Sequence, residues 1–103
     1  MRLPANATNV SNSYTIAETE SFQKTLAKNK SLGSLYRKIR EVVYPALRRE
    51  PHFGPNIKRL KGEFNDFYRY RVGDYRLIYT LDEEEVVVIV VDVRTRQDAY
   101  RRR

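Results

Sequence analysis

The chain predicts an α+β fold: two N-terminal helices packed on a small, mainly antiparallel sheet, in the order β-α-α-β-β-β with a short C-terminal tail. Three observations carry that expectation. Two alternating runs flank Gly73-Asp74 in Tyr68-Arg69-Tyr70-Arg71-Val72-Gly73-Asp74-Tyr75-Arg76-Leu77-Ile78-Tyr79, a short-range signal for a β-hairpin. Upstream, apolar residues recur at helical spacing in two stretches. Downstream, Val86 to Val91 is continuously apolar, as expected of a central strand covered on both faces.

Taken in order, residues 1–13 are rich in Asn and Ser, carry no periodicity and read as a flexible arm. Tyr14-Thr15-Ile16-Ala17 is a strand candidate. Thr19 suits the cap of a first helix, with Glu20 in its opening turn, Phe22 and Leu26 stacked four apart, and an end near Asn29. Ser31 is the expected cap of a second helix. Its apolar stripe is Leu32, Leu35, Ile39, Val42, Val43, Ala46 and Leu47, and Pro45 is expected to kink or interrupt it. Pro51 and Gly54-Pro55 mark a loop. The basic segment Ile57-Lys58-Arg59-Leu60-Lys61-Gly62 leads into the hairpin, and Asp82-Glu83-Glu84-Glu85 forms an acidic turn before the last strand. One domain is expected over residues 14–100, with a basic tail at 101–103.

With a formal charge of +7 and a pI near 9.9, the chain is suited to polyanionic partners, nucleic acid first and an acidic protein second. It has no cysteine, which excludes disulfides, thiolate metal sites and cysteine catalysis. A single histidine, His52, excludes a multi-histidine metal site within one chain, and no metal or cofactor is expected. No apolar run approaches the roughly 20 residues of a membrane span. The start, Met1-Arg2-Leu3-Pro4, lacks the apolar core of a signal peptide, so a cytoplasmic location is expected.

With Gly73 and Asp74 as a two-residue loop, Val72 pairs with Tyr75, Arg71 with Arg76, Tyr70 with Leu77 and Arg69 with Ile78. Alternation then places Tyr68, Tyr70, Val72, Tyr75, Leu77 and Tyr79 on one face and Arg69, Arg71 and Arg76 on the other. Like charges directly opposite each other are destabilising, so a fold that accepts them is expected to hold an anion there, with phosphate the first candidate. A charged edge that discourages aggregation is the competing reading. The tyrosines of the apolar face read as core. His52, beside Pro51, reads as a loop residue. The two basic segments, 56–76 and 94–103, would meet in an electropositive cleft if the sheet is compact.

Leu60-Lys61-Gly62, the hairpin from Tyr70 to Tyr79, and the tail Arg96-Gln97-Asp98-Ala99-Tyr100 resemble the RelE branch of the RelE/ParE toxin superfamily of bacterial type II toxin–antitoxin modules. The similarity spans roughly Tyr14 to Tyr100. It implies a RelE-like fold and a ribosome-dependent endoribonuclease, an mRNA interferase. Such an enzyme cleaves mRNA in the A site without a metal, by attack of the 2′-hydroxyl on the adjacent phosphorus. The implied partners are a cognate antitoxin in a hetero-oligomer and the 70S ribosome with its mRNA. The chemistry needs a proton acceptor, positive charge around the phosphorane and a donor for the leaving oxygen. By resemblance, Arg71, Arg76, Arg96 and Tyr100 are the catalytic residues, and Lys58, Lys61, Arg69 and Arg94 contact RNA or phosphate. Some relatives carry lysine where this chain has Arg69 and Arg71. Arginine is effectively always protonated, so the base stays open among Lys58, Lys61, Glu63, Asp66 and His52. The superfamily also contains ParE-like toxins that inhibit DNA gyrase by binding, and the same fold permits that alternative. A third reading is a basic interaction module without toxicity.

Overall fold

The computed structural model describes residues 13–61 and 66–95. The expectations for the N-terminal arm through residue 12, for Gly62 and Glu63, and for Arg96, Tyr100 and the basic tail lie outside the described residues. The first strand, β1 (Thr15–Glu18), is followed by helix α1 (Glu20–Lys28). Thr19 caps α1 as expected: its hydroxyl accepts from the Phe22 amide at 3.2 Å, and the helix stops at Asn29.

A continuous helical run follows, in four pieces: a 3-10 turn (Lys30–Leu32), α2 (Gly33–Lys38), a π-helical turn (Ile39–Val43) and α3 (Tyr44–Arg49). The run starts on Lys30, and no side-chain bond caps it at Ser31. Pro45 does not stop it. Its missing N–H leaves a gap in the α ladder, and the turn just before it widens, with the Tyr44 amide reaching back to the Ile39 carbonyl. The wider turn inserts one residue and shifts the helical phase. Ile39, Val43 and Leu47 therefore stay buried, while Val42, expected on the apolar stripe, is 52% exposed.

The remaining strands are β2 (Ile57–Arg59), β3 (Phe67–Val72), β4 (Tyr75–Asp82) and β5 (Val87–Thr95). They form a five-stranded mixed sheet in the order β1-β5-β4-β3-β2, antiparallel except for the β1–β5 pair. The short β2, read from the sequence only as a basic lead-in, is therefore an edge strand. The hairpin register is the one expected, with Val72 opposite Tyr75 and Arg71 opposite Arg76. Gly73 supplies the positive φ of 60° that the tight turn requires.

One core joins Phe22, Leu32, Ile39, Val43, Tyr44 and Leu47 of the helices to Tyr68, Tyr70, Val72, Leu77, Tyr79, Val88, Val90 and Val93 of the sheet. The tyrosines are core as expected, with Tyr75 half-buried at its edge. Tyr68 and Tyr79 face each other across β3 and β4 with rings stacked at 5.4 Å, and the Tyr79 hydroxyl donates to the Pro51 carbonyl at 2.7 Å. Strand β5 lies inside the sheet, between β1 and the central β4, but is fully covered on one face only. Val88 and Val90 are buried, while Val87, Ile89 and Val91 are half-buried.

Candidate nucleic-acid interface

The far face of the sheet carries the cations. Strands β3, β4 and β5 align so that Arg71, Arg76 and Arg94 stand side by side in one row. Next to this row, Lys58 of β2 pairs with Arg69 of β3, and the same rung continues through Ile78 to Asp92. The two basic segments expected to meet are joined here at the start of the second, where Arg94 pairs with Arg76. Arg71, Arg94 and Lys58 are exposed, and Arg69 is half-buried, with one guanidinium nitrogen donating to the Asn56 carbonyl at 2.9 Å. Arg76 differs: it is 3% exposed, although its neighbours Tyr75 and Leu77 face the other way, and it donates to the Tyr75 carbonyl at 3.3 Å.

A β-bulge puts Arg94 in this row. Tyr79 pairs with Val90 and Ile78 with Asp92, so Val91 is extra. Without it, strict alternation from Val88 and Val90 would carry Asp92 and Arg94 to the core side. The bulge instead buries Val93 and turns Asp92 and Arg94 outward. Burying a valine in place of a carboxylate drives that choice. Helix α1 meets the bulge directly. The Thr19 hydroxyl donates to the Val91 carbonyl at 3.0 Å, and the Thr25 hydroxyl donates to Asp92 Oδ1 at 2.8 Å. Asp92 Oδ2 lies 3.7 Å from Arg94 Nε.

The other candidates fall elsewhere. Lys61 is exposed beyond the end of β2, toward the start of β3. That is four strand residues from Arg71, or about 13 Å. Asp66, at the same end, pairs with Arg59 at 3.6 Å. His52 lies on the helix side, held between Glu50 (Nδ1 to Oε2, 2.8 Å) and Glu83 (Nε2 to Oε2, 2.8 Å). Burial pushes its pKa down, but the bonds to Glu83 and Glu50 outweigh this and raise it above its ordinary value. Of the groups weighed as proton acceptors, Lys58 is the described one that stands on the basic face. Asp92 was not among them. Its place two residues before Arg94 was legible, but not its face, because the bulge resets the alternation.

A mixed sheet with this helical cover matches known proteins. The family model for the ParE toxin of the type II toxin–antitoxin system parDE matches residues 15–100. The chain belongs to the RelE/ParE family of toxins from type II toxin–antitoxin systems. Toxin RelG of Mycobacterium tuberculosis is 33% identical over 91 residues, covering 86% of this chain and 98% of the relative. The toxin–antitoxin complex RelBE2 of M. tuberculosis contains a chain of TM-score 0.64 and 26% identity, covering 81% of this chain and 98% of that one. A mutant of the E. coli toxin RelE in the free state matches with TM-score 0.64 and 27% identity, over 85% and 87% of the two chains. Among the described residues of this RelE/ParE toxin, no helix is long and apolar enough to cross a membrane.

Proposed function

We propose that this toxin is a ribosome-dependent, metal-independent endoribonuclease that cleaves mRNA in the A site. The observation that carries the reading is the in-register row of Arg71, Arg76 and Arg94, flanked by Lys58 and Arg69. Arg71 and Arg94 are exposed, with the buried Arg76 between them in the ladder, and fixed cations along such a row stabilise the charge that builds up on a phosphorane. The 2′-hydroxyl of the substrate is the nucleophile. Lys58, paired with Arg69, and Asp92, beside Arg94, are the described candidates next to the row for taking its proton. Lys61 serves as an outlying phosphate contact. Arg96 and Tyr100 follow Arg94 in the chain. In this reading they complete the clamp and supply the donor to the leaving oxygen or a ring that stacks on a base.

The toxin acts in the cytoplasm with the 70S ribosome and mRNA as partners, and a cognate antitoxin neutralises it in a hetero-oligomer. The RelBE2 structure is itself such a complex, and an acidic or helical segment laid over the basic face would screen it. Primer extension on mRNA from a translation reaction containing the protein tests the reading. Cuts phased with codons, absent when ribosomes are omitted, are expected; an uncut message refutes it. The second reading, gyrase inhibition by binding, is favoured by the match to the ParE family model. It predicts that Arg96→Ala and Tyr100→Ala leave toxicity intact and that supercoiling by gyrase is inhibited in vitro.

A further inference from the structure

We infer that Thr25 of α1 is a positioning residue for the basic face, acting through Asp92 to hold the β5 bulge and Arg94 in register with Arg71 and Arg76. The inference rests on the proposed RNA-cleaving role for its functional consequence, and on the geometry of the bulge for its structural one. The Thr25 hydroxyl has two acceptors in reach, the Ser21 carbonyl at 3.1 Å and Asp92 Oδ1 at 2.8 Å. The carboxylate is the closer and the charged one, so it takes the stronger bond. Asp92 Oδ1 also accepts from the Val93 amide at 2.9 Å, which fixes the side chain against its own backbone at the bulge. Asp92 Oδ2 is left to face Arg94 Nε. Thr19 completes the clamp from the start of the same helix: its amide bonds the Val90 carbonyl at 3.0 Å and its hydroxyl the Val91 carbonyl. Two hydroxyls on one helix thus engage both residues of the register shift.

The alternative register shows what the clamp prevents. Without the extra residue, Val91 would face Ile78, Asp92 would face Leu77 on the core side, and Arg94 would face Tyr75 instead of Arg76. The row would then lose its third cation. Core packing of Val93 opposes that slip in the mean structure. The clamp acts on what remains, the freedom of Asp92 and Arg94 to rotate or fray near the end of the strand. An Arg94 held in place donates to phosphate without first losing side-chain freedom, and that advantage is lost when Asp92 is loose.

The test compares Thr25→Val, which keeps the shape and removes the hydroxyl, with Thr25→Ser, which keeps the hydroxyl. Three quantities are read on the full chain: mRNA cleavage rate in a translation reaction, salt dependence of binding to a single-stranded RNA oligonucleotide, and amide-exchange protection of Val93. Thr25→Val is expected to lower the cleavage rate about tenfold, to reduce the slope of log affinity against log salt by up to about 0.7, the value of one phosphate contact, and to lower Val93 protection. Thr25→Ser is expected to restore all three, whereas a purely structural role would leave the salt slope unmoved. Wild-type cleavage and salt slope in Thr25→Val, with Val93 protection lowered, would overturn the inference. So would a loss that Thr25→Ser fails to restore. If the wild-type protein cuts no message, the nuclease reading alone falls. The clamp is then decided by the salt slope and its restoration in Thr25→Ser.

Discussion

Replacing Arg71 with Gln separates the two consequences of stacking cations across β3 and β4. Arg71 and Arg76 are direct partners in the ladder, so their Cβ atoms stand about 5 Å apart. With the guanidiniums splayed to roughly 6 Å, the repulsion is about 0.7 kcal/mol in bulk water and about 3 kcal/mol at an effective dielectric of 20. Arg71 is exposed while Arg76 is 3% exposed, so the lower figure is nearer the net effect. Arg71→Gln is therefore expected to stabilise the isolated protein by about 0.5–1 kcal/mol, a rise in Tm of roughly 2–8 °C for a domain of this size. The stabilisation should shrink as salt screens the pair. The same substitution should weaken binding to single-stranded RNA and reduce its salt slope by about 0.7. Calorimetry at low and high salt, beside fluorescence anisotropy over a salt series, measures both. A lower Tm with an unchanged salt slope would show that Arg71 is a structural residue and that the row is not an anion site.

Four further outcomes follow from named contacts. Glu18 Oε2 accepts from the hydroxyls of both Tyr36 and Tyr44 at 2.8 Å, tying β1 to the long helical run; Glu18→Ala should cost about 2 kcal/mol in urea unfolding, and a loss below about 0.5 kcal/mol would show the bonds to be incidental. Val86 has a φ of 59°, which a β-branched residue adopts only under strain; Val86→Gly should raise stability by roughly 0.5–1 kcal/mol after the glycine entropy is subtracted, and no gain in denaturation midpoint would count against strain there. Arg96→Ala and Tyr100→Ala should each abolish growth arrest on induction, as expected when a loss on the order of 10²–10³ in rate removes toxicity; surviving arrest favours gyrase. The fourth concerns pH. His52 is raised above 6.5 by Glu83 and Glu50 against the downward pull of burial, so its contribution is full below 6.5 and fades as pH rises through its elevated value. Glu50 and Glu83 are lowered from 4.5 by their bonds to His52, so theirs is present above 4.5 and fades as pH falls. The stability difference between wild type and His52→Gln should thus be largest between about pH 4.5 and 6.5, on the order of 1 kcal/mol after solvent screening. A difference that is flat with pH would refute it.

Several features were legible because they are local. Gly73-Asp74 between alternating runs set the hairpin register, and the observed pairs are the expected ones. Thr19 and Asn29 bound α1 because a cap needs only a hydroxyl and the amides beside it. The in-register opposition of Arg71 and Arg76 followed from the same two-residue loop. Other features resisted. Val42 left the core because the π-turn ahead of Pro45 shifted the helical phase, and a periodicity argument has no term for that. The three-residue β2 was too short to show alternation, and it gains its place only by pairing with β3. His52 read as a plain loop residue because its partners Glu50 and Glu83 are joined to it by folding, the latter 31 residues away.

By itself the sequence determined the α+β class, the hairpin with its opposed arginines, and the aromatic core face. All three depend on alternation and helical spacing, which act over a few residues. Only the tertiary structure decided that Arg94 joins Arg71 and Arg76. A single extra residue at Val91 reverses the face of everything after it. Whether that residue is inserted depends on burying Val93 in preference to Asp92, and on α1 hydroxyls that meet β5 from 67 and 72 positions away in the chain. Which way a bulged strand turns is settled by what packs against it, and that contact exists only once the helix lies on the sheet.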